Sequence, residues 1–586
     1  MSHVLNITHS ILGQPWRWRA LETDARQDLT GDDLVTQLLL ARGCTRETVA
    51  AHRSPTIRGF MPDPSIFRDM DRAAERLADA VLGGERVAVF GDYDVDGATS
   101  AALMIRLLRA LGLDPVAYIP DRLMEGYGPS GEALVRLAGD GARLIVTVDC
   151  GAQAFEALDM ARTAGVEVIV VDHHKCATEL PAAYALVNPN RLDEGDGAAH
   201  GHLAAVGVAF LLGAALIRTL RARGHFTARA EPALLDLLDI VALGTVADVA
   251  ALRGLNRAFV AQGLKVMGRR GNTGLAALLD VARLTRAPTA TDLGFALGPR
   301  INAGGRVGKS DLGVRLLTTD DRAEAHAIAA ELDRLNEERR AIEANVQTSA
   351  EAMVASNDTS AVAIAAGAGW HPGVIGIVAG RLKERFGKPA IVIALGEDGI
   401  GKGSGRSVPG VDLGQAVLAA KEAGLLIAGG GHAMAAGLTI DGAQIAAFAE
   451  FLNARLAAGV AQSIGDRALL LDAVLAPGGV TPALVHALEA GGPYGMGWPA
   501  PRIAAGPFRV IKADIVGNGH VRAIMTGEDG SRLKTVAFRQ ADSVLGQALL
   551  GAPADRCLWI AGRAKIDDWG SKPAAEVHLD DAAWAH

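Results

Sequence analysis

Three aspartates, Asp92, Asp94 and Asp96, occur within five residues of one another. An apolar run before them predicts a buried strand, and the pattern from Ala98 onward predicts a helix, so the three carboxylates should lie in the turn between the two elements. A solvated turn is one interpretation, because aspartate is common in loops. Carboxylates at this density repel one another unless a cation binds among them. The stretch therefore indicates a cation site.

Two known kinds of site carry aspartates at this spacing. A calcium-binding EF-hand loop would need a bidentate glutamate at its twelfth position, which is Leu103 here, and a helix in place of the preceding strand. That interpretation is excluded. A phosphatase of the haloacid-dehalogenase type would use Asp94 as a covalent nucleophile, and these residues alone leave that alternative open.

Further metal-ligand side chains follow other apolar runs. Alternating strand and helix patterns predict βαβ units and a parallel sheet, in which ligands gather where the strands end. The residues are Asp149 after a strand over 144–148, Asp172, His173 and His174 after a strand over 168–171, and Asp248 after a strand predicted over 240–247. We expect these residues and the first three aspartates to meet at one edge of the sheet.

This set of carboxylates and imidazoles suits a pair of hard or borderline divalent ions, Mn²⁺ or Mg²⁺. Two such ions about 3.5–4 Å apart activate water and stabilise displacement at phosphorus. A zinc site using Cys150 and Cys176 matches no tetrahedral spacing. A haloacid-dehalogenase phosphatase would not use the histidine pair or Asp149. The chemistry that we expect is hydrolysis of a phosphoester.

The rest of the chain suggests a modular organisation. We predict an N-terminal helical segment without evident chemistry, an α/β domain with the parallel sheet, a long connecting helix with a narrow apolar seam, a smaller α/β domain, and short strands that form a barrel. The predicted bounds are 1–80, 81–315, 316–357, 358–460 and 465–586.

Composition restricts the possible classes of protein but does not identify the function. The 586 residues are 49% hydrophobic and carry a net charge of −8, so a polyanion would need a locally basic groove. Four scattered cysteines without a C-x-x-C pair indicate a reducing compartment, and we expect a cytoplasmic protein. The longest apolar run, over 203–217, is too short for a membrane span and predicts a buried helix.

Four motifs together resemble the DHH phosphoesterase superfamily, and they are similar to those of its single-strand-specific DNA exonucleases. They are Gly-Asp-Tyr-Asp-Val-Asp-Gly-Ala-Thr-Ser at 91–100, Thr-Val-Asp-Cys-Gly at 147–151, Asp-His-His at 172–174 and Leu-Gly-Thr-Val-Ala-Asp-Val at 243–249. The resemblance implies two Mn²⁺ or Mg²⁺ ions. It assigns the ligands to Asp94, Asp96, Asp149, His173 and Asp248, with Asp92, Asp172 and His174 in or against that set. Cys150 departs from the asparagine expected in many relatives.

The resemblance also implies residues that bind substrate. Two glycine-rich segments, predicted as turns, supply Arg122 and the group Arg300, Asn302 and Arg306. The smaller α/β domain resembles the DHHA1 substrate-binding domain, and it supplies Ser404, Gly405, Arg406 and His432, which we expect to face the metal site across a cleft. The final barrel is expected to be an OB-fold that binds single strands.

Taken together, these features predict a dimetal exonuclease that degrades single-stranded DNA from the 5′ end in recombination and repair. Direction and sugar preference come from the resemblance, as do single-strand binding protein and a helicase as partners; a monomer is expected. One alternative is a phosphoesterase for short oligonucleotides or cyclic dinucleotides, which would not need the barrel. Another is a non-catalytic single-strand-binding repair factor.

Overall fold

Two α/β lobes, a long helix between them and a C-terminal barrel make up the protein in this computed structural model. It describes residues 3–19, 33–121, 125–126, 128–355, 360–567 and 573–585. The first lobe contains a five-stranded, fully parallel sheet. Its strands, in spatial order, are Val116–Tyr118, Val87–Gly91, Leu144–Val148, Glu167–Val171 and Ala185–Val187. The predicted parallel sheet is confirmed.

Helices cover both faces of this sheet, which explains why its central strands are apolar throughout. The helices of the first lobe are Met70–Gly83, Val95–Ala110, Gly131–Gly139, Phe155–Thr163, Ala205–Ala222, Leu238–Ala247, Gly254–Met267, Thr273–Val281, Gly298–Val307 and Leu312–Thr318. Among the described helices, Ala205–Ala222 alone is long and apolar enough to cross a membrane, but most of it is buried in the core. The buried helix predicted over 203–217 is confirmed.

Two sequence predictions about local structure are wrong. The run over 240–247 lies in the helix Leu238–Ala247, not in a strand. It is apolar on every side and packed all round, so its periodicity could not distinguish helix from strand. The segment over 298–306, predicted as a turn from its glycines, lies in the helix Gly298–Val307. Gly305 serves close packing there, since a Cβ atom would lie 2.7 Å from the carbonyl oxygen of Tyr93.

A single 34-residue helix, Arg322–Ala355, joins the two lobes and is called the linking helix below. Residues of its predicted seam, including Leu332, Leu335 and Val346, are buried. The sheet of the second lobe is mixed, with strands in the order Ala428–His432, Ala435–Asp441, Ile400–Arg406, Ala390–Leu395 and Ala363–Ala368. Its helices are Ile375–Phe386, Leu413–Glu422 and Ile445–Gly465.

The C-terminal strands close into a five-stranded barrel, because the first strand pairs with the second and also with the fourth along the chain. In order around the barrel, the strands are Ile503–Val516, His520–Gly527, Arg532–Ala537, Ala574–Trp584 and Leu558–Asp567. The predicted barrel is confirmed. Full closure leaves few unpaired strand edges.

The N-terminal segment packs against the barrel. The strand Trp16–Trp18 pairs in parallel with Leu469–Leu471, and the buried indole of Trp16 donates a hydrogen bond to Asp581 at 3.1 Å. The short helices Leu34–Ala41, Arg46–Arg53 and Ile57–Phe60 then lead to the first lobe. Deleting the barrel would therefore expose an apolar surface of the N-terminal segment, so deletion would be a poor test of what the barrel does.

A buried arginine fastens three parts of the chain together. Arg257 is fully buried in the first lobe, and its guanidinium donates to the carbonyl oxygens of His52, Gly491, Gly492 and Pro493 at 2.6–3.0 Å. Burial lowers the pKa of Arg257 to about 10, so the side chain remains protonated at neutral pH. The arginine thus links the N-terminal segment and the loop before the barrel to the first lobe.

Replacing Arg257 by methionine should destabilise the protein by about 3 kcal/mol, because the carbonyl oxygens lose charged hydrogen-bond donors inside the core. Thermal and urea unfolding would measure the loss. Arg269→Met, which removes an exposed arginine from the same lobe, is the matched control. Equal melting temperatures for the two variants would contradict this role of Arg257.

Candidate metal centre

The first three aspartates occupy three different positions around the start of one helix. Asp92 follows the strand Val87–Gly91, and Asp94 caps the helix Val95–Ala110 by accepting from the amide of Gly97 at 3.0 Å. Asp96 lies inside the first helical turn, not in the preceding turn as predicted. It is buried and accepts from two amides at the start of a second helix, at 2.7 and 3.0 Å. Helix amino termini favour negative charge, which holds this carboxylate in place.

Asp149 lies at the centre of the cluster. It follows the strand Leu144–Val148 with a φ of +61°, a left-handed conformation that aspartate adopts more readily than most residues. Its side chain is 3% exposed, and Oδ1 lies 3.3 Å from Nε2 of His173.

The histidine pair is held by hydrogen bonds of different kinds. Nδ1 of His173 lies 3.0 Å from the carbonyl oxygen of Leu203, so Nε2 faces Asp149 and Asp96. Nδ1 of His174 lies 2.8 Å from Oδ1 of Asp172. Burial disfavours the charged form of His174, but the hydrogen bond and charge of Asp172 outweigh burial and raise the pKa of the imidazole.

Asp172 is placed to orient its neighbours. Its oxygens accept hydrogen bonds from the amides of Ala152, His173 and His174 in addition to the His174 ring. Burial opposes its ionisation, yet these interactions, led by the His174 side chain, lower its pKa to about 2. Among the described residues, the groups able to hold an ion do not include Asp172, so we infer that it positions ligands.

Asp248 follows a helix in the chain, not the strand predicted before it. It ends the helix Leu238–Ala247, and its Oδ2 lies 3.8 Å from Nδ1 of His173. This helix packs closely over the start of the helix Val95–Ala110. A Cβ atom at Gly244 would lie 2.2 Å from Oγ1 of Thr99 in that helix. The glycine therefore permits the approach that brings Asp248 to the cluster.

Three overlapping groups of side chains could each hold a cation. In each group the ligand atoms all lie within 4.8 Å of one another. The groups are Asp92 with Asp94 and Asp149, Asp149 with His173 and His174, and Asp96 with His173 and Asp248. Asp149 and His173 each belong to two groups. Shared ligands between neighbouring positions are what a two-metal centre requires.

The electrostatics of this cluster also fit divalent cations. Burial and the neighbouring carboxylates Asp96, Asp94 and Asp92 raise the pKa of Asp149 well above its usual range. Burial, followed by the charges of Asp96 and Asp94, raises the pKa of Asp248 to about 9. The ionised forms are disfavoured because these side chains lack sufficient positive charge nearby. A cation would supply it, and the oxygen and imidazole donors suit Mn²⁺ or Mg²⁺.

The residues predicted to bind substrate from the first lobe lie in different surroundings. Nε of Arg300 lies 2.8 Å from Oδ1 of Asp333, an ion pair that ties its helix to the linking helix. Asn302 and Arg306 line a cavity of about 770 Å³ between the lobes, and Arg306 donates to the carbonyl oxygen of Gly373 in the second lobe at 2.8 Å. Arg122 lies outside the described residues.

The predicted residues of the second lobe lie on two strands. Ser404, Gly405 and Arg406 end the strand Ile400–Arg406, and His432 ends the strand Ala428–His432, next to the turn of a hairpin. Arg406 donates to the hydroxyl of Ser404 at 3.2 Å and to the carbonyl oxygen of Gly405 at 2.8 Å. Their predicted position opposite the metal centre stays a prediction.

Several residues that support the histidine pair are not among those predicted from the sequence. Asn188 and Asn190 donate to the backbone carbonyls of His174 and His173 at 2.8 and 2.6 Å, which fixes the histidine loop. They follow the strand Ala185–Val187, so the strand-end argument that located the other ligands could also have located them.

A cavity of about 300 Å³ adjoins Asp172 and His174 and includes Gly128, Gly151 and Gln153 in its lining.

A parallel sheet with acidic and histidine ligands at its edge, joined by a long helix to a second α/β lobe, defines a phosphoesterase of the DHH class. The family model described as DHH family, N-terminal domain, matches residues 86–245. The DHHA1 domain matches 358–458, and the RecJ OB domain matches 471–581.

Full-length relatives narrow this class. The chain is similar to the single-stranded-DNA-specific exonuclease RecJ of Dickeya dadantii, at 40% identity over 87% of this chain and 90% of the relative. It is also similar to the crystal structure of RecJ in complex with Mn²⁺ from Thermus thermophilus, at 30% identity, with a TM-score of 0.78 over 97% of this chain and 80% of that one. The Mg²⁺ complex from the same organism gives a TM-score of 0.72 at 30% identity, over 97% of this chain and 78% of that one. The chain belongs to the RecJ family.

Proposed function

We propose that this protein is a metal-dependent exonuclease that hydrolyses phosphodiester bonds of single-stranded DNA from the 5′ end and releases nucleotides. The observation that carries the proposal is the convergence of acidic and imidazole side chains from separate parts of the first lobe into overlapping ligand groups. Relatives that are similar over nearly their whole length bear the name single-stranded-DNA-specific exonuclease. The 5′ direction follows from the family resemblance.

In this proposal, Asp94, Asp96, Asp149, His173 and Asp248 hold two divalent ions, with Asp92 beside them. When bound, such ions would supply activation of the attacking water and would offset the charge that develops on the phosphate. His174 lines the cavity of about 300 Å³, and the hydrogen bond and charge of Asp172 raise the pKa of its imidazole. A phosphate in that cavity would accept a hydrogen bond from the protonated form of this imidazole. The negative field of the buried carboxylates has to be offset before a polyanion can approach, which is a second role for the ions.

The cavity of about 770 Å³ supports a single-stranded substrate. Its lining includes arginines from the first lobe, the linking helix, the second lobe and the barrel. They are Arg306, Arg339, Arg340, Arg381 and Arg539. The guanidinium groups of Arg339 and Arg381 lie 2.8 and 3.4 Å from the carboxylate of Glu343, and Arg381 also lies 3.6 Å from Glu384, so the charges of these two arginines are partly compensated. The remaining positive charge is concentrated at one place in a protein whose net charge is −8. Such a groove attracts a phosphate backbone without reading its sequence.

We also propose that the protein works as a cytoplasmic monomer alongside single-strand binding protein and a helicase. The four cysteines are free thiols in the structure, which suits a reducing compartment. The partners and the oligomeric state come from the family resemblance, and pull-down and sedimentation experiments would test them.

The decisive experiment is digestion of end-labelled substrates with Mn²⁺, Mg²⁺ or a chelator. The substrates compared would be single-stranded DNA, duplex DNA, single-stranded RNA and a deoxydinucleotide, called the dinucleotide below. We expect rapid shortening of single-stranded DNA from the 5′ end with either ion, and none with the chelator. Faster hydrolysis of the dinucleotide than of long strands would favour a phosphoesterase for short oligonucleotides. Strand binding without hydrolysis under any metal would favour a non-catalytic repair factor.

A further inference from the structure

Three successive carbonyl oxygens of one backbone segment lie beside the metal centre, and each accepts a hydrogen bond from a different side chain. The pairs are Gly201 with Nδ2 of Asn190 at 3.0 Å, His202 with Nδ2 of Asn256 at 2.7 Å, and Leu203 with Nδ1 of His173 at 3.0 Å. Residues 201–206 are called the carbonyl segment below. Side chains thus hold this segment at three residues in a row.

The carbonyl segment contacts two ligands of one metal position. A carbonyl oxygen can only accept, so the bond with Leu203 places a proton on Nδ1 of His173 and leaves Nε2 of the neutral ring able to bind a cation. Two amides of the segment donate to the carboxylate of Asp96 at 2.7 and 3.0 Å. Together with Asp248, His173 and Asp96 form one of the three ligand groups. A shift of the segment would therefore move two ligands of that group.

Asn256 connects the carbonyl segment to the third ligand of this group. The residue is fully buried in the helix Gly254–Met267, and the same Nδ2 that bonds to His202 also donates to the carbonyl oxygen of Ala251 at 3.1 Å. Ala251 lies shortly after Asp248 in the chain. The oxygen Oδ1 of Asn256 is buried without a hydrogen-bond partner among the described residues, so this side chain serves as a donor only. One amide group thus joins the carbonyl segment to the segment that follows Asp248.

Asn190 gives the carbonyl segment a second connection. Its Nδ2 donates to the carbonyl oxygen of His173 at 2.6 Å as well as to that of Gly201. The backbone amide of Asn190 donates to Oδ1 of Asn188 at 2.7 Å, which restrains the backbone that carries this side chain. Asn190 therefore ties the loop of the histidine pair to the carbonyl segment. Asn190 and Asn256 are called the asparagine pair below.

We propose that the asparagine pair are positioning residues for the metal position formed by Asp96, His173 and Asp248. Both act through the carbonyl segment. The ligand group that contains Asp94 is held by other contacts, because Asp94 caps the start of its own helix, so that group should not depend on the pair. This inference rests on the proposed function and extends it, because it names the residues on which one of the two ions depends.

Titration with Mn²⁺, followed by the electron paramagnetic resonance signal of the free ion, would test this role. The unmodified protein should bind two ions. We expect Asn256→Ala to weaken the binding of one ion about 10- to 100-fold and to leave the other unchanged. Asn190→Ala should have the same effect, and because this residue is only half-buried, it tests the role even if Asn256→Ala fails to fold. Unchanged affinity for both ions, or equal weakening of both, would overturn the proposal.

Asn272→Ala is the matched control. Asn272 is another buried asparagine of the first lobe, whose Nδ2 donates to the carbonyl oxygen of Leu317 at 3.2 Å and whose Oδ1 caps the helix Thr273–Val281. Its replacement should lower the melting temperature and leave both Mn²⁺ affinities unchanged. Weaker binding of one ion in this variant as well would mean that general destabilisation disturbs the metal centre, which would overturn the specific role of the asparagine pair.

Hydrogen exchange in the presence of a chelator measures the positioning itself, without metal or hydrolysis. By peptide-resolved mass spectrometry, amides of the carbonyl segment should exchange faster in both asparagine-pair variants than in the unmodified protein, and at the unmodified rate in Asn272→Ala. Equal exchange in all four proteins would overturn the inference even if the protein binds two ions and cuts DNA. Faster exchange in the two variants of a protein that binds no Mn²⁺ would instead refute the proposed function and keep the asparagine pair as the support of the segment.

Discussion

Replacing Asp149 by asparagine is expected to abolish hydrolysis of single-stranded DNA. Asp149 belongs to two of the three ligand groups and lies 3.3 Å from His173, so its loss should weaken both metal positions. Changes to residues that only support a metal ligand lower metal affinity or activity about 10- to 100-fold. Loss of a shared ligand should therefore lower activity on the order of a thousand-fold or more. Measuring initial rates over a range of Mn²⁺ concentrations would separate weaker ion binding from a slower reaction.

The same variant should be more stable than the unmodified protein when metal is removed. Burial and neighbouring charges raise the pKa of Asp149, so the carboxylate destabilises the folded protein in a way that asparagine avoids. Addition of Mn²⁺ should raise the melting temperature of the unmodified protein and have little effect on Asp149→Asn. Asp114→Asn, at a side chain that is 96% exposed, controls for loss of one charge. Near-normal activity with a normal Mn²⁺ response would refute the assignment of Asp149.

Most of the candidate metal centre could be predicted because parallel strands bring their ends to one edge. Asp92, Asp149 and the pair at 173–174 follow strands that neighbour one another in the sheet, so their proximity needs only the βαβ pattern. Asp248 lies in the cluster as predicted, but it follows a helix and not the strand from which its position was predicted. A run that is apolar all round predicts burial well and does not decide between strand and helix.

Other features depend on contacts that sequence spacing does not encode. Glycines in the segment over 298–306 suggested a turn, but Gly305 lets a helix approach Tyr93 closely. The four hydrogen bonds of Arg257 reach segments more than 200 residues away along the chain. Exposure of Phe295 follows from a π-helical turn, which no periodicity in the sequence indicates. Local patterns located the ligands, whereas long-range packing determined the surfaces around them.

Removal of metal should make the stability of this protein fall as pH rises. The pKa of Asp248 is raised to about 9, above the value of about 4 for an unfolded aspartate. Between these values the folded protein binds more protons than the unfolded chain, so the free energy of unfolding decreases as pH increases. Mn²⁺ binds the ionised carboxylates, so the stabilisation that it gives should grow over the same range. Melting temperatures with a chelator and with Mn²⁺, from about pH 5 to about pH 9, would measure both effects.

Comparison with Asp248→Asn isolates the contribution of this cluster from that of every other titrating group. Without metal, the variant should lose less stability than the unmodified protein as pH rises, because its amide cannot ionise. With Mn²⁺ it should gain less, because one ligand of the Asp96, His173 and Asp248 group is missing. Asp114→Asn should follow the unmodified protein under both conditions, since that carboxylate is exposed. Parallel pH profiles for Asp248→Asn and the unmodified protein would mean that the carboxylate of Asp248 does not carry the buried charge that a metal ion offsets.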